Sequence, residues 1–263
     1  MDETAAGRAA MELSNKNVLI TGANRGIGRA FLDEVLARGV SRVYAAVRDP
    51  GSLTDVVAEH GHRVVAVPFD LADRSSVVDL AGRCSDVDLV IANAALGLRG
   101  PVLDVAEDDV RAVFEANVFA PLHLLRALSP GLVERRGAAV LISSVSALLL
   151  SRSSPLYSAS KAALTMAVMG LRAQLSPLGV RIGIVYPGFV DTDMTAGMMV
   201  PKASAQSVAR RSLDDVAAGS DVVLPDRYAE IVLEELQRDL RAALTDPKRT
   251  ADVAVSRLVA DPG

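Results

Sequence analysis

Short apolar runs alternating with longer helical patterns constrain this chain more than any other feature of it. The runs lie at 17–21, 42–47, 63–68, 89–92, 138–143 and 181–186, with a weaker seventh at 221–224. Helical patterns fall between them, near 27–38, 53–60, 74–83, 106–128, 156–176 and 204–218. Such alternation predicts βαβ units, a parallel sheet and helices on both of its faces. Because the runs are nearly continuous in Val, Ile, Leu and Ala, they suit strands covered on both sides. The expectation is one doubly wound α/β domain over 14–263, with a mostly parallel seven-stranded sheet. Residues 226–244 and 246–260 read as a C-terminal helical extension, and residues 1–13 as a flexible tail.

Composition narrows the function classes. Half of the 263 residues are hydrophobic but only 3% are aromatic and Trp is absent, so aliphatic side chains must fill the core. A formal net charge of −4 lacks the basic footprint of a nucleic-acid binder. Cys84 is the one cysteine, which excludes an internal disulfide and fits a reducing compartment. The tail has no apolar segment of the signal-peptide kind. The most apolar run, 138–150, is shorter than the roughly 20 residues of a bilayer span. A soluble, cytoplasmic protein without membrane or nucleic-acid partners is expected.

The first run ends in Thr21-Gly22-Ala23-Asn24-Arg25-Gly26-Ile27-Gly28 and enters a helix. Glycines at 22, 26 and 28 permit a tight turn, close approach of a pyrophosphate and close helix–strand packing. The helix N-terminus behind them presents N–H groups to an anion. The spacing is one residue longer than the usual dinucleotide fingerprint.

Tyr157 and Lys161 stand four residues apart in a helical stretch and share a face. An ammonium beside a phenol stabilises the phenolate, so the proton is expected to leave more easily than at the ordinary pKa of about 10. That suits an acid that protonates a carbonyl oxygen, or a base that deprotonates an alcohol. Alone, the Tyr-x-x-x-Lys spacing is as common on a solvated helix face.

The glycine turn, Tyr157 with Lys161, and Ser144 thirteen positions earlier together resemble the short-chain dehydrogenase/reductase family from about Lys16 to Met194. The resemblance implies a Rossmann-type fold and hydride transfer between NADP(H) or NAD(H) and a carbonyl or secondary alcohol. It implies Tyr157 as acid/base, Lys161 as its electrostatic tuner and ribose ligand, Ser144 on the substrate oxygen, and Asn117 in a proton relay. Gly22, Asn24, Arg25, Gly26, Ile27 and Gly28 would hold the pyrophosphate. Asp70 and Leu71 would meet the adenine, and Asn93, Ala94 and Ala95 its ribose. Pro187, Gly188, Val190 and Thr192 would lie against the nicotinamide end. Ala92 and Ala95 depart from the family's Asn-Asn-Ala-Gly in that ribose segment.

Val47 stands where an acid for the ribose 2′-hydroxyl is expected, and Arg48 follows it. With Arg25, it offers guanidiniums suited to a 2′-phosphate, so NADP(H) is expected over NAD(H). Asp49 could neutralise Arg48 or contact the ribose itself. No metal is expected, because His60 and His62 lack the further ligands a metal shell needs, and His123 reads as a packed residue. The rival readings are a dinucleotide-sensing regulator that turns nothing over and, ranked lower, a sugar-nucleotide epimerase or dehydratase. A homodimer or homotetramer is expected from the family.

Overall fold

Strands β1 (Asn17–Thr21), β2 (Arg42–Val47), β3 (Val64–Pro68), β4 (Leu89–Ala92), β5 (Ala138–Ile142), β6 (Arg181–Val185) and β7 (Val222–Val223) form one parallel sheet, in the order β3-β2-β1-β4-β5-β6-β7. The computed structural model describes residues 11–261. Alternate residues of each strand feed two separate cores. Leu19, Val90 and Leu141 face one layer, whereas Val18, Ile20, Leu89 and Ile91 face the other. Both layers are helical, which is why the strands carry almost no polar residues.

Helices α1 (Gly26–Ala37) and α2 (Thr54–His60) cover the second face. On the first face lie α3 (Arg74–Arg83), α4 (Glu107–Phe114), α5 (Ala120–Arg135) and α6 (Pro155–Leu175), of which α3, α5 and α6 supply buried side chains such as Leu80, Leu125 and Leu164. Helix α7 (Ala205–Ala217) returns to the second face, and α8 (Arg227–Arg238), α9 (Leu240–Thr245) and α10 (Pro247–Ala260) end the chain. Fully buried side chains such as Phe31, Leu32 and Ile91 each contribute about 1.5–3 kcal/mol.

The single helix expected over 106–128 is a composite. Its α4 and α5 parts are separated by a π-turn at Glu115–Phe119. Pro121 lies four residues after Asn117 and has no N–H for that residue's carbonyl, so the register slips there. The helix also runs past Pro130 to Arg135. Pro130 cannot serve the Arg126 carbonyl, and the Ser129 hydroxyl donates to it instead, at 3.0 Å.

The helix expected over 226–244 breaks at Asp239, whose carboxylate accepts from the Ala242 N–H at 2.8 Å and so starts α9. Of the expected tail, residues 1–10 lie outside the described residues. Its last part is docked: Met11 N–H donates to Ala217 O at 2.9 Å and Leu13 is buried. The extension packs as well, with Ala254 and Leu258 of α10 buried beside Ile231 and Val232 of α8.

Strand order reverses direction between β1 and β4. The crevice beyond their carboxyl ends is where such sheets receive ligands.

Candidate active site

The turn after β1 is built for close approach. Gly22 and Gly26 have φ of +70° and +55°, which favours glycine. A Cβ on Gly28 would fall 2.0 Å from the Gly22 carbonyl oxygen, so only glycine fits. No side chain caps the N-terminus of α1. Asn93 secures the turn from β4: its amide donates to Thr21 O at 3.1 Å, and its backbone N–H and that of Ala94 reach the Thr21 hydroxyl. The two substitutions by Ala at 92 and 95 leave this support intact.

Asn117 sits buried in the π-turn. Its amide accepts from Leu96 N–H at 2.8 Å, donates to Leu96 O at 2.9 Å, and donates to the Ser160 hydroxyl at 3.0 Å. One side chain thus ties the loop after β4 to α6, where Tyr157 and Lys161 stand.

Lys161 is 2% exposed, and its Nζ donates to Ile142 O at 2.8 Å, at the end of β5. It lies 5.8 Å from the centroid of the Tyr157 ring. Burial holds the ammonium down at about 8. Tyr157 is partly buried, with the Ser144 hydroxyl near enough to favour its phenolate. Desolvation pushes the phenol up to about 12, against the opposing pull of Ser144. This corrects the expected direction: desolvation dominates, and what opposes it is Ser144.

Ser144 is separated from its neighbours by orientation. It stands two residues past β5 in extended backbone, and its hydroxyl accepts from Ser146 N–H at 3.1 Å. Ser143 turns away, toward Lys161 O and the Thr165 hydroxyl. Of Ser143 and Ser144, it is Ser144 whose hydroxyl acts on Tyr157.

The segment after β6 closes over the crevice. Val145 N–H donates to Pro187 O at 3.0 Å, and Val190 bridges to Ala203. Thr192 lies against Gly26, 3.2 Å from where a Cβ would stand. Arg25 is paired with Asp193 at 2.7 Å, so it is engaged across the crevice and not standing free beside Arg48. Farther along, Arg99 donates to Met194 O at 3.1 Å, and Gly97 lies against the Met194 side chain. Of the methionines in this segment, Met199 is almost wholly exposed.

At the tip of β2, Val47 is buried and Arg48 exposed. Among the described residues Arg48 has no ion-pair partner. Asp49 does not neutralise it, because that carboxylate accepts from Gly51 N–H at 2.9 Å and caps the following turn. Arg48, Phe69, Asp70 and Ser76 line a hollow of about 310 Å³. Asp70 itself accepts from Ala72 N–H at 3.0 Å, and Leu71 is partly buried beside the first-face core.

Asp226 was not foreseen. Buried at the N-cap of α8, it accepts from Gly188 N–H at 2.7 Å and Ala229 N–H at 2.9 Å. Burial raises its pKa, and these N–H groups oppose that. A Cβ on Gly188 would strike its Oδ1 at 2.6 Å. The Phe189 and Tyr228 rings pack alongside at 4.5 Å. An Asp directly before an amphipathic charged run was the available signal for a cap. Among the described residues no group of three or more His, Cys, Asp or Glu side chains forms a metal shell.

The sequence model of the family described as short chain dehydrogenase matches residues 16–201. A 1-deoxy-11-beta-hydroxypentalenate dehydrogenase from Streptomyces avermitilis is 33% identical over 241 residues, covering 87% of this chain and 84% of that protein. Its namesake from Streptomyces exfoliatus is 37% identical over 220 residues, with 79% and 78% covered. Among solved structures, a short chain dehydrogenase from Burkholderia cenocepacia in complex with NADP has a TM-score of 0.85 at 34% identity, covering 90% of this chain and 99% of that one.

Proposed function

This chain belongs to the short-chain dehydrogenase family of oxidoreductases, and on that premise we propose that it moves hydride between NADP(H) and a carbonyl/secondary alcohol pair, with Tyr157 as acid/base. The observation that carries this reading is the meeting of Tyr157, Lys161, Ser144 and Asn117 beside the glycine turn. They come from three stretches of sequence: the π-turn before α5, the residues just past β5 and helix α6.

The residues fit a dinucleotide. The uncapped start of α1, with bare backbone at Gly22 and Gly26, suits a pyrophosphate. The solved relative in complex with NADP supports the choice of cofactor, as does Arg48 at the tip of β2, which has no ion-pair partner among the described residues. Arg48 would hold the 2′-phosphate, and Arg25 would join it only on leaving Asp193. Asn24 and Ile27 would complete the pyrophosphate cradle, Asp70 and Leu71 would meet the adenine, and Asn93 to Ala95 the ribose. Pro187, Gly188, Val190 and Thr192 would face the nicotinamide.

When bound, the dihydronicotinamide supplies the hydride. Ser144 donates a hydrogen bond to the substrate oxygen as negative charge develops on it. With its pKa near 12, Tyr157 is fully protonated at neutral pH and donates to that oxygen, and the Lys161 ammonium stabilises the phenolate left behind. Asn117 fixes the loop of Leu96 against α6 and keeps this constellation in register. In oxidation the same phenolate receives the alcohol proton. Two relatives named as dehydrogenases of a hydroxylated compound accord with this direction.

The proposal includes a cytoplasmic setting and an assembly of two or four copies, for which the exposed Met166 and Met169 of α6 offer apolar surface. Among the described residues no helix is long and apolar enough to cross a membrane. A panel of carbonyl compounds assayed with NADPH, wild type beside Tyr157→Phe, tests the mechanism. Turnover that survives in the variant would end it.

A further inference from the structure

We propose that Arg99 and Arg152 form a subsite at the cleft mouth for an anionic oxygen group, so that the substrate is an amphipathic anion. The inference rests on the oxidoreductase reading above and adds the substrate's chemical class.

Both arginines are tied to the catalytic residues through short backbone links. Arg99 follows Leu96, whose N–H and carbonyl are both held by Asn117, and its own guanidinium reaches Met194 O. Arg152 follows Ser151, whose N–H donates to the hydroxyl of Ser158, next to Tyr157, at 3.1 Å. The two loops are joined directly, since Gly100 N–H donates to Ser153 O at 3.0 Å. The arginines therefore stand on adjoining loops over the substrate end of the cleft.

Charge at this rim is unbalanced. The acids of the overlying segment are already engaged, Asp193 by Arg25 at 2.7 Å and Asp191 by Lys202 at 3.9 Å. Asp104, the acid nearest in the loop after β4, pairs with neither arginine. Among the described residues Arg99 and Arg152 make no ion pair, and Arg99 spends one N–H on Met194. A chain of net charge −4 thus leaves two positive groups uncompensated at one mouth. Exposed apolar side chains stand near the arginines in the chain or in contact: Leu96 three residues before Arg99, Leu150 two before Arg152, and Met194, whose carbonyl Arg99 holds. Guanidinium forks match carboxylates and phosphates alike, so the group recognised is a carboxylate of the substrate or a phosphate of an attached carrier.

The test compares hydroxy or keto acids carrying an apolar body with their methyl esters and their coenzyme A thioesters, using the full chain and NADP(H). Wild type is expected to prefer an anion over the methyl ester roughly tenfold in kcat/KM at low salt, less at about 0.5 M salt. Arg152→Gln, which leaves the Arg99–Met194 tie in place, should reduce that ratio, and Arg99→Gln/Arg152→Gln should bring it to about one. Thermal unfolding of each variant establishes that it is folded. A free acid outperforming the thioester assigns the substrate's own carboxylate, and the reverse assigns the carrier phosphate. Methyl esters used as well as anions by wild type, or a preference that survives both substitutions, overturns the subsite and leaves hydride transfer standing. Failure of every compound, neutral panel included, overturns the oxidoreductase reading along with it.

Discussion

Asn117 grips Leu96 by both of its backbone groups, accepting from the N–H at 2.8 Å and donating to the carbonyl at 2.9 Å. The Asn117 side chain is buried, and Ser160 takes the remaining amide N–H at 3.0 Å. Asn117→Ala is expected to cost roughly 1–2 kcal/mol, because the part-buried N–H and carbonyl of Leu96 and the buried Ser160 hydroxyl lose a partner. It should also lower kcat far more than it weakens NADPH binding. Denaturant unfolding with cofactor titration checks both, and a variant as stable and active as wild type contradicts the assignment.

Lys161 should reduce stability while serving catalysis. Its pKa falls from 10.5 in the unfolded chain to about 8 in the fold. Between those values the unfolded chain holds a proton that the folded one has shed, so this group's contribution to stability rises with pH. Lys161→Met is therefore expected to stabilise the fold at pH 7 by roughly 1–3 kcal/mol, while abolishing turnover. The gain should shrink toward zero near pH 10.5. Unfolding at pH 7 and pH 10 measures it.

The same titration should appear in the rate. Tyr157 stays protonated to about 12, so the descending limb of reductive kcat/KM belongs to loss of the Lys161 ammonium near 8. Lys161→Arg should move that limb upward by more than about one pH unit, since guanidinium does not titrate in the range. A limb unmoved in the variant assigns it elsewhere.

Cofactor choice should hinge on the tip of β2. Arg48→Ala is expected to weaken NADPH binding roughly tenfold and leave NADH little changed. Val47→Asp should favour NADH, by offering a carboxylate to a ribose hydroxyl and repelling a phosphate. Direct titration of both reduced cofactors decides it, and tighter NADH binding by wild type would refute the NADP(H) reading.

Gly28→Ala should be severe. Its methyl would stand 2.0 Å from the Gly22 carbonyl, in backbone that cannot yield without moving the turn. A loss of roughly 2–3 kcal/mol is expected, with cofactor affinity falling alongside. Thermal unfolding with and without NADPH reads both effects.

The sheet was legible because its signal is simple. A strand buried on two faces must be apolar throughout, and β1, β2 and β4 fall where that rule put them. Glycine positions were legible for a similar reason, since φ and clearance admit little else at Gly22 and Gly28. What escaped were effects of one residue on a distant backbone. The π-turn follows from Pro121 acting on the Asn117 carbonyl, a relation visible in sequence only if proline is read backwards by four residues. The raised pKa of Tyr157 depends on how much water the fold removes, which spacing does not encode. Arg25 was read as free, and its partner Asp193 lies 168 residues away.

Asp226 gives the C-terminal helices a stake in the chemistry. One carboxylate clasps both the start of α8 and the Gly188 N–H, so a rotation of α8 cannot leave the loop beyond β6 where it was. That makes the chain's end a lever: pressure on α10, from a neighbouring subunit or an inserted tag, would travel through α8 to the pocket floor without touching a reacting atom.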